Sequence, residues 1–233
     1  MTSLKIAFWL QYPTLLAVNP CFSSVLHSQL ELSEQPVGTT NLIVRPARHQ
    51  DLSAMAEILA DSFHPPKGIG QWWHPLMRLG IYEDLRNRLR LASTNYLCLV
   101  AVMQVVSGTV KQNRLAGTVE MALRSSASAL ALSPSVWGDS GQQYPYVSNL
   151  AVKAEFRRQG VARELLLACD RAALEWGMPD LYLHVLENNH QARQLYLQAG
   201  YKVQKVESNG LARLLCRPRK LFLHKHLHLP QLN

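Results

Sequence analysis

Several absences narrow this sequence at once. It has four cysteines, Cys21, Cys98, Cys169 and Cys216, and no two of them stand in a CxxC or other metal-ligand spacing. Three of the four lie in apolar stretches, where buried thiols usually sit, so a reducing compartment is expected and a disulfide framework is not. No apolar run is long enough to form a membrane-spanning helix. GK[ST] after a glycine-rich loop is missing, and so is GxGxxG, which removes the Walker loop and the dinucleotide fingerprint. There is no internal repeat and no RNA- or DNA-binding signature. Acidic residues are scarce, 16 against 24 Lys and Arg, and the net charge of +8 favours phosphate-bearing or polyanionic partners.

What is present reads as one sizeable domain with appendages. A chain of 233 residues, 48% hydrophobic and 17% charged, can bury a real core and is neither fibrous nor disordered in composition. Charge is uneven along it. Residues 1–40 carry only Lys5 against Glu31 and Glu34, whereas residues 201–233 carry seven Lys or Arg against Glu207. The basic end is expected to be a solvated surface, with ribosome association as the alternative. The start, LKIAFWLQYPTLLAV, is broken by Gln11, Tyr12 and Pro13 and lacks the arginines of a transit peptide, so residues 1–40 read as a poorly specified extension. The domain is expected over 41–228, with 229–233 as a tail.

Hydrophobic periodicity divides that domain into strands at Leu42–Arg45, YLCLVAVMQVV, NRLAGTVEMALR, YVSNLAV, DLYLHVL, YKVQKVE and RKLFLHKHL. Asp51 is placed to cap a first helix with Met55, Ile58 and Leu59 on one side. A second helix is expected over HPLMRLGIYEDLRNRLRLA, weakened by Gly80. His224, His226 and His228 fall on one face of the last strand, an edge strand by expectation rather than a metal site. SSASALALSPSVWGDSGQQYP is a loop too long to be a plain connector.

The stretch FRRQGVARELL, Phe156 to Leu166, carries the first chemical signal. It runs from a strand through a turn into a helix, with Gly160 at the junction. Glycine lets the backbone approach a ligand closely. The helix that follows aims its unsatisfied N–H groups and the positive end of its dipole back at the turn, which suits a phosphate or pyrophosphate. Arg157, Arg158 and Arg163 add diffuse positive charge. Alone, R-x-x-G-x-A is a weak pattern; its context strengthens it. The order YVSNLAV, RRQGVA, long helix, LYLHVL, then NNxxARxLYxxxGY closely resembles the GNAT superfamily of acetyl-CoA-dependent N-acetyltransferases, over about residues 42–227.

That resemblance implies an α/β fold of the GNAT type: a central mixed, mostly antiparallel sheet, splayed at the cofactor strand and flanked by helices. It implies acetyl-CoA as cosubstrate and no metal. Leu150, Ala151 and Val152 would pair their backbone with the pantetheine arm. Arg158, Gln159, Gly160, Val161, Ala162 and Arg163 would take the pyrophosphate, Ala162 standing where glycine is commoner. Asn189 would sit near the cofactor arm, and Tyr196 near the thioester sulfur.

A thioester is already activated, so the protein must supply a neutral amine, stabilise the oxyanion and protonate the departing thiolate. From periodicity alone Tyr196 reads as a core aromatic on a helix face; the resemblance points to it as the acid. His184 is the candidate base, since imidazole is the side chain best matched to taking a proton near pH 7. A His in an LHV context resembles the catalytic subunits of eukaryotic protein N-terminal acetyltransferases, which pair it with a tyrosine at the head of the cofactor strand, here Tyr146. SFHPPKG…WWHPLMRLGIYEDL is similar to plastid-type and cyanobacterial members that acetylate protein α-amines and lysines. Trp72 and Trp73 in that segment either line a peptide groove or pack in the core. The expected acceptor is therefore a protein N-terminal α-amine or a lysine, in the cytoplasm or, alternatively, the plastid stroma. A small-molecule amine acetyltransferase and a non-catalytic acyl-CoA-binding protein are the rival readings.

Overall fold

The computed structural model describes residues 42–63, 72–91, 95–107, 110–125, 143–207 and 218–228, all within one unit of the chain, residues 32–233. Of the loop expected over 125–145, residues 126–142 lie outside the described residues, as do the extension at 1–40, Cys21 and Cys216, while Ser125 and 143–145 are strand.

Seven strands form one sheet: β1 Leu42–Pro46, β2 Tyr96–Ser107, β3 Val110–Ser125, β4 Gln143–Val152, β5 Asp180–Leu186, β6 Lys202–Glu207 and β7 Lys220–His226. Their spatial order is β1-β2-β3-β4-β5-β7-β6. β4 and β5 are the parallel pair, and the other neighbours are antiparallel. The helices are α1 Leu52–Phe63, α2 His74–Arg90, α3 Val161–Glu175 and α4 His190–Gln198.

Strand alternation sorts the side chains into two cores. On one face Leu99, Val119, Met121, Val147, Leu181, Leu183 and Leu223 pack under α3 and α4, which contribute Leu165, Leu166, Cys169 and Tyr196. On the other, Cys98, Val100 and Val102 meet Met55, Leu59, Ile81 and Leu85 of α1 and α2. Fully buried leucines such as Leu165 and Leu166 each contribute about 2 kcal/mol from apolar burial. Helix α3 starts after Gly160 and ends before Gly177, which takes the left-handed conformation at φ 70°, a common way to end a helix.

Two expectations are corrected. The histidine-bearing strand β7 is interior, and β6 is the edge. There His224 and His226 both bond Asp180 Oδ1, at 2.6 and 2.8 Å. Asp51 does not cap α1 forward: its carboxylate reaches back to the Arg48 N–H at 2.7 Å and accepts a two-pronged bond from Arg45. Of the two readings left open for Trp72 and Trp73, core packing is excluded, since they are 89% and 52% exposed. Gly80 sits inside a continuous α2, and an added Cβ there would meet nothing.

Gly117 of β3 is a different case. A Cβ there would lie 2.9 Å from the Ala151 carbonyl oxygen, 3.1 Å from Val161 Cγ1 and 3.2 Å from Leu165 Cδ1. The glycine is what lets α3 and the end of β4 close onto β3. Gly117→Ala is expected to destabilise by about 1–3 kcal/mol, as overpacking does, read as a lowered urea midpoint; an unchanged midpoint would mean the backbone gives without cost.

Candidate active site

β4 carries a bulge, and side-chain parity reveals it. Val147 packs into the α3 face, and so do Leu150 and Val152, whereas Ala151 joins the α1–α2 core. An unbroken strand would keep residues 147 and 150 on opposite faces. The register confirms the switch: Glu120 faces Ser148 and Thr118 faces Ala151, so two residues of β4 oppose one of β3. Asn149 takes the left-handed conformation there, at φ 52°. Its Nδ2 donates to Glu120 Oε1 at 2.7 Å. Glu120 is almost wholly buried and accepts further bonds from Arg88 Nη1 and Tyr96 Oη, each at 2.9 Å.

Beyond the bulge the sheet opens. Strands β4 and β5 pair only at Tyr146 and Tyr182. On the β3 side Ala151 and Val152 stay paired, to Thr118 and Gly117. Among the described residues, then, the edge of Leu150–Val152 that faces β5 has no ladder partner and can accept an extended amide chain.

The turn after β4 leads to the second candidate cofactor element. Arg158 and Gly160 both have positive φ, 63° and 83°. No side chain caps α3. The first helical bond is Glu164 N–H to the Gly160 carbonyl, so the N–H groups of Val161, Ala162 and Arg163 have no acceptor within the helix. Two side chains brace the turn: Arg157 Nε donates to the Val152 carbonyl at 3.2 Å and Gln159 Nε2 to the Glu155 carbonyl at 3.0 Å. Val161 is buried in the core and can offer only backbone, while Arg158 and Arg163 are exposed. An uncapped helix end with open space at Gly160 fits a pyrophosphate. The side chain of Asn189 caps α4, accepting from the Ala192 N–H at 3.2 Å.

Two of the proton-handling candidates, Tyr146 and His184, meet at the splay. Tyr146 Oη lies 2.9 Å from His184 Nδ1. The imidazole packs on Phe222 at 4.7 Å between ring centroids, and the Arg124 guanidinium sits 3.6 Å above the Tyr146 ring centre. His184 Nε2 is buried without a hydrogen bond among the described residues; the Glu207 carboxylate lies 3.4 Å away, within ion-pair reach. Burial pushes the His184 pKa below the ordinary histidine range; Glu207 acts against this, and Lys220 and Arg124 reinforce it. Tyr196 comes from the α3–α4 face and stacks edge-on against Tyr201. Burial, then Tyr146 and Cys169, push its phenol well above the usual tyrosine range. The two pKa values move apart, as they do where one group is to accept a proton and another to donate it. Cys98 and Cys169 are buried with their thiols pushed up, which makes them poor nucleophiles.

Of the sequence candidates, the structure brings Tyr146 and His184 into contact and keeps Leu150–Val152 and the 158–163 turn next to each other in the chain fold. Sequence reasoning passed over Asn149, Glu120, Arg124 and Glu207. Glu120 left one signal, a lone acid inside the apolar strand GTVEMAL; Asn149 left none, because a bulge does not break an apolar run. Among the described residues no group of three His, Cys, Asp or Glu is placed to hold a metal, and no helix is long and apolar enough to cross a membrane.

Comparison with known proteins bears on the fold and the family. The profile of the acetyltransferase (GNAT) family matches residues 52–201. The chain is 28% identical over 177 residues to GCN5-related N-acetyltransferase 10, chloroplastic, of Arabidopsis thaliana, covering 75% of this chain and 67% of that protein. A second chloroplastic relative from the same plant is spanned over 61% of its length. Arabidopsis thaliana NAA60 solved with acetyl-CoA superposes with a TM-score of 0.54 at 16% identity, covering 79% of this chain and 98% of that one. The ribosomal-protein-S18-alanine N-acetyltransferase from Escherichia coli does so with 0.52 at 16% identity, covering 82% and 97%. At such identities the superpositions speak for the fold, and the profile match over most of the domain decides the family. This chain belongs to the GNAT family of acetyltransferases, acyltransferases that use acetyl-CoA.

Proposed function

We propose that this enzyme acetylates a primary amine on a protein, an N-terminal α-amine or a lysine, by direct attack on the thioester. The observation that carries the reading is the 2.9 Å contact of Tyr146 with His184 at the mouth of the splay, with Tyr196 on the opposite face of the sheet. Acetyl-CoA supplies an activated acetyl group. The chain's own residues do the rest. Backbone N–H groups of the 158–163 turn hold the pyrophosphate, and Leu150, Ala151 and Val152 line the arm that leads to the splay. Tyr146 meets the amine and passes its proton to His184, which burial keeps neutral and receptive at pH 7. Tyr196, held in its protonated form, gives its proton to the leaving sulfur. The catalytic unit is residues 41–228, with 1–40 an extension and 229–233 a tail.

The need for a base follows from the acceptor. Peptide α-amines titrate near about 8 and lysines near about 10.4, so much of either is protonated at neutral pH. The LHV setting of His184, with Tyr146 as its partner, is what favours a protein acceptor, and the Escherichia coli structural neighbour bears the name of an enzyme of that class. The chloroplastic relatives favour the plastid stroma over the cytoplasm. Ribosome association through the basic end finds less support, because two of its cations are already engaged: Arg219 with Glu187 at 2.5 Å and Lys225 with Asp170 at 2.5 Å.

The test is acetyl transfer to two sets of proteome-derived peptides, one with lysines blocked and one with α-amines blocked, read by mass spectrometry. Transfer to one set should fall by about 10²-fold in His184→Ala, in keeping with loss of a placed proton acceptor, and the preferred set names the amine. Acetyl-CoA binding without transfer to either set would overturn the protein acceptor and leave a small amine in its place.

A further inference from the structure

His184 presents two nitrogens, and the proposed function uses only one. Nδ1 meets Tyr146. Nε2 is buried, has no hydrogen-bond partner among the described residues, and points to a single anionic neighbour, the Glu207 carboxylate at 3.4 Å. A neutral imidazole carries one proton. If that proton sat on Nδ1, the ring could not accept from the Tyr146 hydroxyl, and a bare Nε2 lone pair would face a carboxylate.

We propose that Glu207 completes a relay, Tyr146–His184–Glu207, in which its carboxylate holds the Nε2–H of His184 and so fixes the tautomer whose Nδ1 takes the Tyr146 proton. Glu207 is a positioning residue: it acts through His184 and touches neither amine nor thioester. The inference rests on the reading of His184 as the base.

The fold brings the two together across an intervening strand. Glu207 ends β6 at the sheet edge, opposite Lys220 of β7, and His184 lies on β5 opposite Phe222 of β7. The contact runs across the β7 surface. A movement of a few tenths of an ångström would bring 3.4 Å into the hydrogen-bond range of about 2.7–3.2 Å, and the Glu207 side chain, 42% exposed, has room to make it. The surrounding charges make its sign matter. Lys220 from β7 and Arg124 from β3 both oppose a positive imidazole, Tyr146 from β4 bonds Nδ1, and among the described residues Glu207 from β6 is the group that favours the imidazolium. Without Glu207, a proton arriving at His184 would meet burial and two cations with nothing to offset them.

The proton balance closes. As the amine nitrogen's electron pair forms the new C–N bond, its proton passes to the Tyr146 oxygen while the Tyr146 proton moves to Nδ1. The C–S electron pair leaves with sulfur, which takes the proton of Tyr196. Afterwards the imidazolium releases one proton to water at the exposed Glu207 edge, and Tyr196 regains one from water.

The test compares the native enzyme, Glu207→Gln and His184→Gln with one peptide substrate at saturation. Glu207 sits exposed on an edge strand, so its replacement should leave the fold intact. Glu207→Gln is expected to lower kcat by about tenfold, a part of what proton transfer by a placed side chain contributes, with the KM for acetyl-CoA within about twofold. The carboxylate raises the His184 pKa, so removing it should move the acidic limb of the kcat–pH profile to lower pH. Nitrogen-15 spectra of the histidine ring should show the Nε2–H tautomer in the native protein and a mixture in Glu207→Gln. A large loss in His184→Gln with native kcat or an unmoved acidic limb in Glu207→Gln overturns the relay and leaves the base. A native rate in His184→Gln overturns the base, and the relay with it.

Discussion

Tyr196→Phe should lower kcat for acetyl transfer by about 10²-fold or more, the range a positioned acid contributes, while the melting temperature and the KM for acetyl-CoA stay close to native. The substitution removes one oxygen and keeps the ring. The edge-on contact with Tyr201, 5.8 Å between centroids, and the place in the core under α3 both survive. Packing and the proposed acid role are therefore separable at this residue. Its phenol is pushed well up by burial, then by Tyr146 and Cys169, so it holds its proton across the whole working range and can act only as a donor. The alkaline side of the pH profile should accordingly show no limb from Tyr196. A loss below about threefold would assign the proton for sulfur to water or another group.

Arg88→Met is expected to cost about 2–3 kcal/mol, because it strips the counter-charge from a buried carboxylate; the figure lies below the full range for a buried pair since the guanidinium keeps some solvent. The Glu120 side chain is 2% exposed and that of Arg88 36%. Tyr96 and Asn149 still bond Glu120 in the variant, but neither is charged. Urea unfolding reads the loss. Arg88→Met combined with Glu120→Gln should cost less than the two single changes added, since the partners are coupled; strict additivity would show that the pair contributes nothing. Asn149 links this network to the bulge, so the same variants should also raise the KM for acetyl-CoA, whereas Gly117→Ala strains β4 from the side of α3.

The motif around Gly160 was legible because its physics is local. A glycine with positive φ followed by an uncapped helix needs only a few consecutive residues, and FRRQGVARELL contains them all. The strands were legible for the same reason, since period-2 patterns such as LYLHVL declare both the element and its faces. Phase within a strand was harder. The bulge at Asn149 shifts Leu150 and Val152 onto the face of Val147, and an apolar run reads identically with or without that shift.

By itself, the sequence determined the order of elements and the glycine turn before α3, because each depends on neighbours within about one helical turn or one strand, while its resemblance to the GNAT family named Tyr146, His184 and Tyr196 as candidates. Tertiary structure alone decided which of them meet. Strand order put β7 inside the sheet and β6 at its edge, and so set Glu207 facing His184 across 23 residues of chain. It also sank Glu120 among Arg88, Tyr96 and Asn149, drawn from three other elements. Contacts of this kind depend on registry between distant strands, which no local pattern encodes.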